Sequence, residues 1–375
     1  MVQARYIVCA VVLFYFSPSI YRSATLLGYF GKRPEAKLAC TIHHPDTLTA
    51  CEDMLFWEGN IITACGNVEE REKYWFPPSG LVNASQATFS DRFYEWNLKT
   101  EAVREIPHDI PGGYVSHGLD ILKDGDKTYL FAVNHLAEGS VVDVLEYDGK
   151  ALHHQQRASS DLLTSPNAVH AIRKDEFYVT NLHYYKHPLL RALELNTRRA
   201  WLSIAHYRAG VWQKAAKKLT SLNGMTGDGE YVYVAQEADA VVNVATREAN
   251  GMLHPIQTIN IARRMDNLRL CGDDLYITYF EDPMQVSAYL RNASKPLRSA
   301  FARINKRELG SKFYGKDFAA EPSIERYETD YNGATTHLGV GDEVFVTGLL
   351  ARGMGRCKMP PPPPADPESS PRDEL

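Results

Sequence analysis

The 375-residue chain has no surplus of positive charge: 41 Lys and Arg face 46 Asp and Glu, for a net charge of −5. That balance lacks the electrostatic footprint of a nucleic-acid binder. Long apolar runs are also missing. The longest, residues 6–16, falls well short of the about 20 residues that cross a bilayer as a helix. Six cysteines are too few for a disulfide scaffold and enough for one or two staples. Helical periodicity is scarce, and the best stretch is VWQKAAKKL over residues 211–219. With 44% hydrophobic and 23% charged residues, the composition excludes a mostly disordered chain. The 21 Tyr, 14 Phe and 5 Trp suit a β-rich fold.

The two ends read differently from the middle. Arg5 followed by the apolar residues 6–16 has the form of a secretory signal. Ser17-Pro18-Ser19 then interrupts the run without a clean small-x-small cleavage site, so the segment could stay attached as a weak membrane anchor. Five prolines, Pro360 to Pro364, open an acidic, Ser-containing tail that cannot bury a core. Its last residues, Arg372-Asp373-Glu374-Leu375, differ from a KDEL retrieval signal only at the first position, which points to the ER lumen and a retrieval receptor as a partner. Asn83-Ala-Ser and Asn292-Ala-Ser are glycosylation sequons that fit the same compartment. The expected organisation is a signal peptide or signal anchor with linker over 1–35, a folded domain over 36–358 and a Pro-rich disordered tail over 359–375.

Between the ends one hairpin pattern recurs six times, opening at Glu52, His117, Asn167, Asn223, Asp266 and Thr335. Each copy has a polar opening residue, a turn rich in Gly, Asp or Glu, and an aromatic and β-branched run. The spacing leaves room for a second hairpin per copy, such as SVVDVLEYD at 140–148 or QVSAYLR at 285–291. A four-stranded unit at this period predicts an all-β, six-bladed β-propeller. A β-sandwich is the competing reading, but it gives no reason for one opening motif to repeat. Cys40 and Cys357 flank the six copies, and a bridge between them would close the ring. Cys51 and Cys65 flank the first hairpin and would form a second bridge or remain packed thiols. Cys271 has no partner in this scheme.

In a propeller the innermost strand of every blade starts beside the central axis, so six openings converge on one spot. Carboxylate and carboxamide oxygens dominate there, with Asn267 beside Asp266. That set is wrong for zinc or copper and suits Ca²⁺, which takes six to eight oxygen ligands. Two carboxylates, Glu52 and Asp266, would balance its charge; a polar, water-filled hole is the bland alternative. His117 and His135 lie at the two ends of one hairpin, which sets their imidazoles side by side at the open end. Such a pair beside a metal position reads as general-base equipment. His183 should reach the same mouth.

These residues resemble the paraoxonase/arylesterase family of calcium-dependent lactonases and esterases. The resemblance runs from about Cys40 to Cys357. It is carried by Cys-Glu-Asp at 51–53, His-Gly-Leu at 117–119, Phe-Ala-Val-Asn-His at 131–135 and Asn167. Tyr-Val-Thr-Asn-Leu-His-Tyr-Tyr at 178–185, Asn223-Gly224, Gly-Glu-Tyr-Val-Tyr-Val-Ala at 229–235 and Asp266-Asn267 complete it. It implies a six-bladed propeller with two calcium ions in its tunnel. Glu52, Asn167, Asn223, Asp266 and Asn267 would bind the catalytic ion, His117 and His135 would form a catalytic dyad, and Cys40–Cys357 would be the ring-closing disulfide. For the second, structural ion the chain retains Asp53 and the carbonyl of Leu119. Ala168 stands where the family has a ligand Asp, Leu182 where it has another Asp, and Phe280 where mammalian members have a pocket His.

The implied activity is calcium-dependent hydrolysis of a small lactone or aryl or carboxylic ester. A non-catalytic propeller serving as an ER chaperone or assembly factor is the rival reading, and a strictosidine-synthase-type propeller ranks behind both, lacking this ligand set.

Overall fold

The computed structural model describes residues 17, 20–73, 75–76, 81–82, 84–185, 187–197, 204–216, 219–308 and 322–360. The apolar residues 6–16, Asn83 of the first sequon and residues 361–375 of the tail lie outside the described residues.

Six antiparallel sheets follow one another along the chain as the blades of a six-bladed β-propeller. Blade 1 comprises Met54–Trp57, Asn60–Cys65, Arg92–Asn97 and Val103–Ile106. Blade 2 comprises Ser116–Asp124, Lys127–Leu136, Gly139–Tyr147 and Leu152–Ala158. The inner hairpins of blades 3 to 6 are Pro166–Arg173 with Glu176–Asn181, Leu222–Gly227 with Tyr231–Gln236, Arg264–Cys271 with Asp274–Phe280, and Thr336–Val340 with Glu343–Thr347. Each is one of the six copies read from the sequence.

The blades cohere because their strands alternate. On one strand of blade 2, Leu130 and Ala132 face an apolar cluster with Leu55, Ile62 and Phe93 of blade 1. The intervening Phe131 and Val133 face Phe177 and Val179 of blade 3. Similar clusters join blades 3 and 4 through Tyr178 and Met225, 4 and 5 through Tyr233 and Ile277, 5 and 6 through Phe301 and Val346, and 6 and 1 through Phe345 and Trp96. Strands buried on both faces read as near-continuous apolar runs rather than clean alternation.

The ring closes through the N-terminal strand Cys40–His43, which pairs with Met354–Lys358 as the outermost strand of blade 6. Cys40 lies directly opposite Cys357 and the two are disulfide-bonded. Cys51 and Cys65 form the second bridge, and Cys271 is a free thiol. Ala36–Leu38 adds a parallel fifth strand to blade 5.

Two local expectations are overturned. The first four residues of the best helical pattern, 211–219, form the outer strand Val211–Lys214 of blade 3, where Trp212 packs against Phe177 and Tyr207. So short a stretch cannot nucleate a helix against an available sheet edge. QVSAYLR, expected in a hairpin, contains the helix Val286–Tyr289. Asp282 accepts from the Met284 N–H, Pro283 begins the preceding 3₁₀ turn, and Val286 and Tyr289 bury one face. The third strand of that blade is Arg298–Asn305. A longer helix that periodicity did not flag, Pro188–Thr197, lies between the second and third strands of blade 3. No described helix is long and apolar enough to cross a membrane. Asn292 is exposed on a turn.

Candidate metal centre on the propeller axis

The opening residues owe their direction to a repeated irregularity. In blades 2 to 5 the inner hairpin loses register where the inner strand begins, so two residues face one. The doubled pairs are His117-Gly118 opposite Val133, Asn167-Ala168 opposite Thr180, Asn223-Gly224 opposite Ala235 and Asp266-Asn267 opposite Thr278. A β-bulge bends the strand and re-aims a side chain that regular pleating would send elsewhere. Bulges of adjacent blades nearly touch, which explains two glycines. A Cβ on Gly118 would lie 2.4 Å from the Asn167 carbonyl oxygen, and one on Gly224 would lie 2.4 Å from the Leu268 nitrogen. In blades 1 and 6 the corresponding residues, Glu52-Asp53 and Thr335, immediately precede the strand.

The result is one connected, buried cluster. Asn267 Nδ2 donates to Glu52 Oε1 (2.8 Å) and Thr336 Oγ1 (3.0 Å). Thr335 and Thr336 donate through their hydroxyls to the Glu52 carbonyl at 2.6 and 3.0 Å. Glu52 Oε1 lies 3.8 Å from His117 Nε2, which is 3.2 Å from Asn167 Nδ2. Asp266 lies beside the Asn223 side chain, which lowers its pKa against the effect of burial. Glu52, Asn167, Asn223, Asp266 and Asn267 therefore come together from blades 1, 3, 4 and 5.

Three oxygens in this cluster, Glu52 Oε2, Asn167 Oδ1 and Asn223 Oδ1, are buried without any hydrogen-bond partner. Buried polar atoms are rarely left so, because each lost bond costs about 1–3 kcal/mol. Burial, then the neighbouring charges of Asp53 and Asp266, pushes the Glu52 carboxyl well above its ordinary range. Burial and the Glu237 charge push Asp266 up to about 8. Three orphaned oxygens and two reluctant carboxyls fit a hard divalent cation. The donors mix carboxylate with carboxamide oxygen, the set that a hard cation takes.

The histidine pair borders the cluster. His117 Nδ1 and His135 Nε2 are 2.9 Å apart, and His135 Nδ1 is 2.7 Å from Ser140 Oγ. Both imidazoles are almost fully buried (2% and 0% exposed). Burial, His135 and the Arg71 charge hold His117 well below its ordinary pKa, and burial and Arg71 lower His135 to about 3. Arg71, which the sequence did not flag, comes from the helix Val68–Lys73 and donates to Asp91 (2.6 Å) and Ser116 Oγ (2.7 Å), fixing the residue before His117. His183 is also buried, and burial lowers it to about 4. Glu237 and Arg264 form an ion pair that no motif signalled. Phe280 packs with Val286, Tyr289 and Leu350.

Asp53 and Leu119 lie together on the axis beside this cluster. The Leu119 N–H donates to Asp53 Oδ2 (2.9 Å). Arg269, absent from every sequence expectation, bonds to both residues.

Fold and site together define a six-bladed propeller with a buried oxygen cluster on its axis. The arylesterase family model matches residues 98–312, more than half of the chain, and the chain belongs to that family, the paraoxonases. Mouse serum paraoxonase/arylesterase 1 is 31% identical over 221 residues, covering 56% of this chain and 61% of the relative. Chicken serum paraoxonase/arylesterase 2 is 33% identical over 167 residues, 43% and 47% of the two chains. Human serum paraoxonase/lactonase 3 is 27% identical over 245 residues, 61% and 69% of the two chains. The aligned part of this chain thus spans less than two thirds of the first two relatives.

Proposed function

We propose that the chain is a hydrolase of lactones and aryl or carboxylic esters, with one calcium ion held by Glu52, Asn167, Asn223, Asp266 and Asn267. The observation that carries this reading is the meeting of three partnerless buried oxygens, from three blades, next to paired imidazoles. The names of the relatives, arylesterase and lactonase, support the substrate class.

Calcium, when bound, would supply Lewis-acid polarisation of the ester carbonyl and stabilise the charge that develops there. The remaining work falls to the chain. Asn167 Nδ2 can donate to His117 Nε2, His117 Nδ1–H to His135 Nε2, and His135 Nδ1–H to Ser140 Oγ. Its lowered pKa keeps His117 neutral at physiological pH, and to act as general base it would exchange the Asn167 contact at Nε2 for the attacking water. The resulting imidazolium would be stabilised by Glu52, 3.8 Å away, and held in orientation by His135.

Two disulfides support an oxidising, secretory compartment. Within it, the retrieval-like ending supports the ER lumen and residues 6–16 support membrane association.

The near-complete burial of both imidazoles favours a second reading, a non-catalytic propeller acting as an ER chaperone or assembly factor. One assay separates the two: the full chain against a panel of lactones and phenyl esters, with and without a calcium chelator. Hydrolysis lost on chelation and restored by Ca²⁺ supports the enzyme. Chelator-resistant hydrolysis overturns the calcium assignment, and calcium-bound protein without turnover on any member favours the scaffold.

A further inference from the structure

We propose that the guanidinium of Arg269 is a built-in cation of the propeller axis, standing where the family resemblance implies a second calcium ion, so that this protein binds one exchangeable ion rather than two. Arg269 Nε donates to Asp53 Oδ1 (3.0 Å), and Nη2 donates to Asp53 Oδ2 and to the Leu119 carbonyl oxygen (3.0 Å). These are the two ligands that the chain retains for such an ion.

The contrast with the neighbouring cluster decides the matter. Around Glu52, Asn167 and Asn223 three buried oxygens have no partner. Around Asp53 every oxygen is occupied. Oδ1 accepts from the Met54 N–H (2.9 Å) and Arg269, while Oδ2 accepts from the Leu119 N–H and Arg269. No lone pair is left for a metal, and Ala168 offers only a methyl group where another carboxylate would be needed. Asp53 is 1% exposed and Arg269 5% exposed. A buried carboxylate requires a charge partner, and Arg supplies a permanent one whose planar fork matches both oxygens.

The strand explains how the charge arrives. Arg269 lies two residues beyond Asn267 on the inner strand Arg264–Cys271, just past the bulge. One strand thus aims an amide at Glu52 and a guanidinium at Asp53, its neighbour in sequence. Beyond Arg269 a cavity of about 500 Å³ opens among the far ends of the inner strands, lined by Trp57, Ile121, Gly227 and Gly341. The guanidinium therefore stands between the oxygen cluster and that cavity.

The inference rests on the reading above only in taking the axis as a cation site, and the test keeps the two apart. The full chain is equilibrated with Ca²⁺, freed of excess ion and counted for bound calcium by mass spectrometry. One ion per chain, lost in Glu52→Gln, is the expected result. Two ions per chain, or one ion kept undiminished in Glu52→Gln, would overturn the role of Arg269. No ion at all would sink the calcium reading and leave Arg269 as the only cation on the axis. The double variant Ala168→Asp/Arg269→Ser should bind one ion more than the parent and gain a calcium-dependent rise in Tm; a folded double variant with an unchanged count would overturn the proposal. Should that variant not fold, the parent's ion count decides.

Discussion

Asn267 donates through a single amide nitrogen to Glu52 and to Thr336, and so ties blades 5, 1 and 6 together at the axis. The carboxylate it holds is the one whose second oxygen has no partner. The amide thus orients Glu52 without satisfying it, which is what a site waiting for a cation requires.

His117→Gln is expected to lower kcat for a lactone or phenyl ester by about 10²–10⁴-fold while calcium stoichiometry stays unchanged. The conservative size keeps the place beside Asn167 filled. Full activity in this variant would move the general base elsewhere, with Glu52 and Asp266 the next candidates.

Gly224→Ala should damage the metal centre without touching a ligand. Its new Cβ would meet the Leu268 nitrogen at 2.4 Å and the Asn267 Cα at 2.6 Å. The backbone carrying Asp266 and Asn267 must give way, at about 1–3 kcal/mol in stability and at least about tenfold in calcium affinity. Gly229→Ala is the control, since nothing lies within 4 Å of its Cβ. Calcium titration of the two variants tests this, and equal affinities would show that the bulge is not held by its neighbour.

Cys357→Ser should lower unfolding stability by about 5 kcal/mol, because the lost bridge closes a loop of 317 residues. Denaturant midpoints of parent and variant measure it. A change below about 1 kcal/mol would mean that the paired strands close the ring unaided.

His337 makes stability fall on acidification. Its ring is fully buried, bonded to Thr278 Oγ1 at 3.0 Å and packed on Phe301, and burial lowers its pKa to about 3. Unfolded, the imidazole titrates near 6.5. Between those values the unfolded state binds the extra proton, so stability is intact above about 6.5 and drops as pH falls toward 3, by at most about 1.4 kcal/mol per pH unit from this ring. His337→Gln should flatten the slope between pH 6.5 and 4.5. Urea midpoints across that window decide, and identical slopes in parent and variant would exclude His337 as the source.

The six inner hairpins were legible because each is written locally: a polar opening, a turn, and an aromatic and β-branched run. The ring-closing cysteines were legible from their positions outside the first and last copies. The misread segments were short. Val211–Lys214 is a strand because Ala205–Arg208 offers it an edge, and Val286–Tyr289 is helical because Asp282 and Pro283 start a turn just before it. In both, a neighbour outweighed a weak local preference.

The sequence by itself determined the repeat, the polar identity of the axis and the histidines that border it, since these depend on residue type and spacing along the chain. The tertiary structure alone decided which oxygens remain without partners, how the bulges turn them inward, and that Arg269 reaches Asp53 across a sequence separation of 216. Such meetings are made through space by the closing of the ring, and no local pattern encodes the distance between two blades that only closure sets.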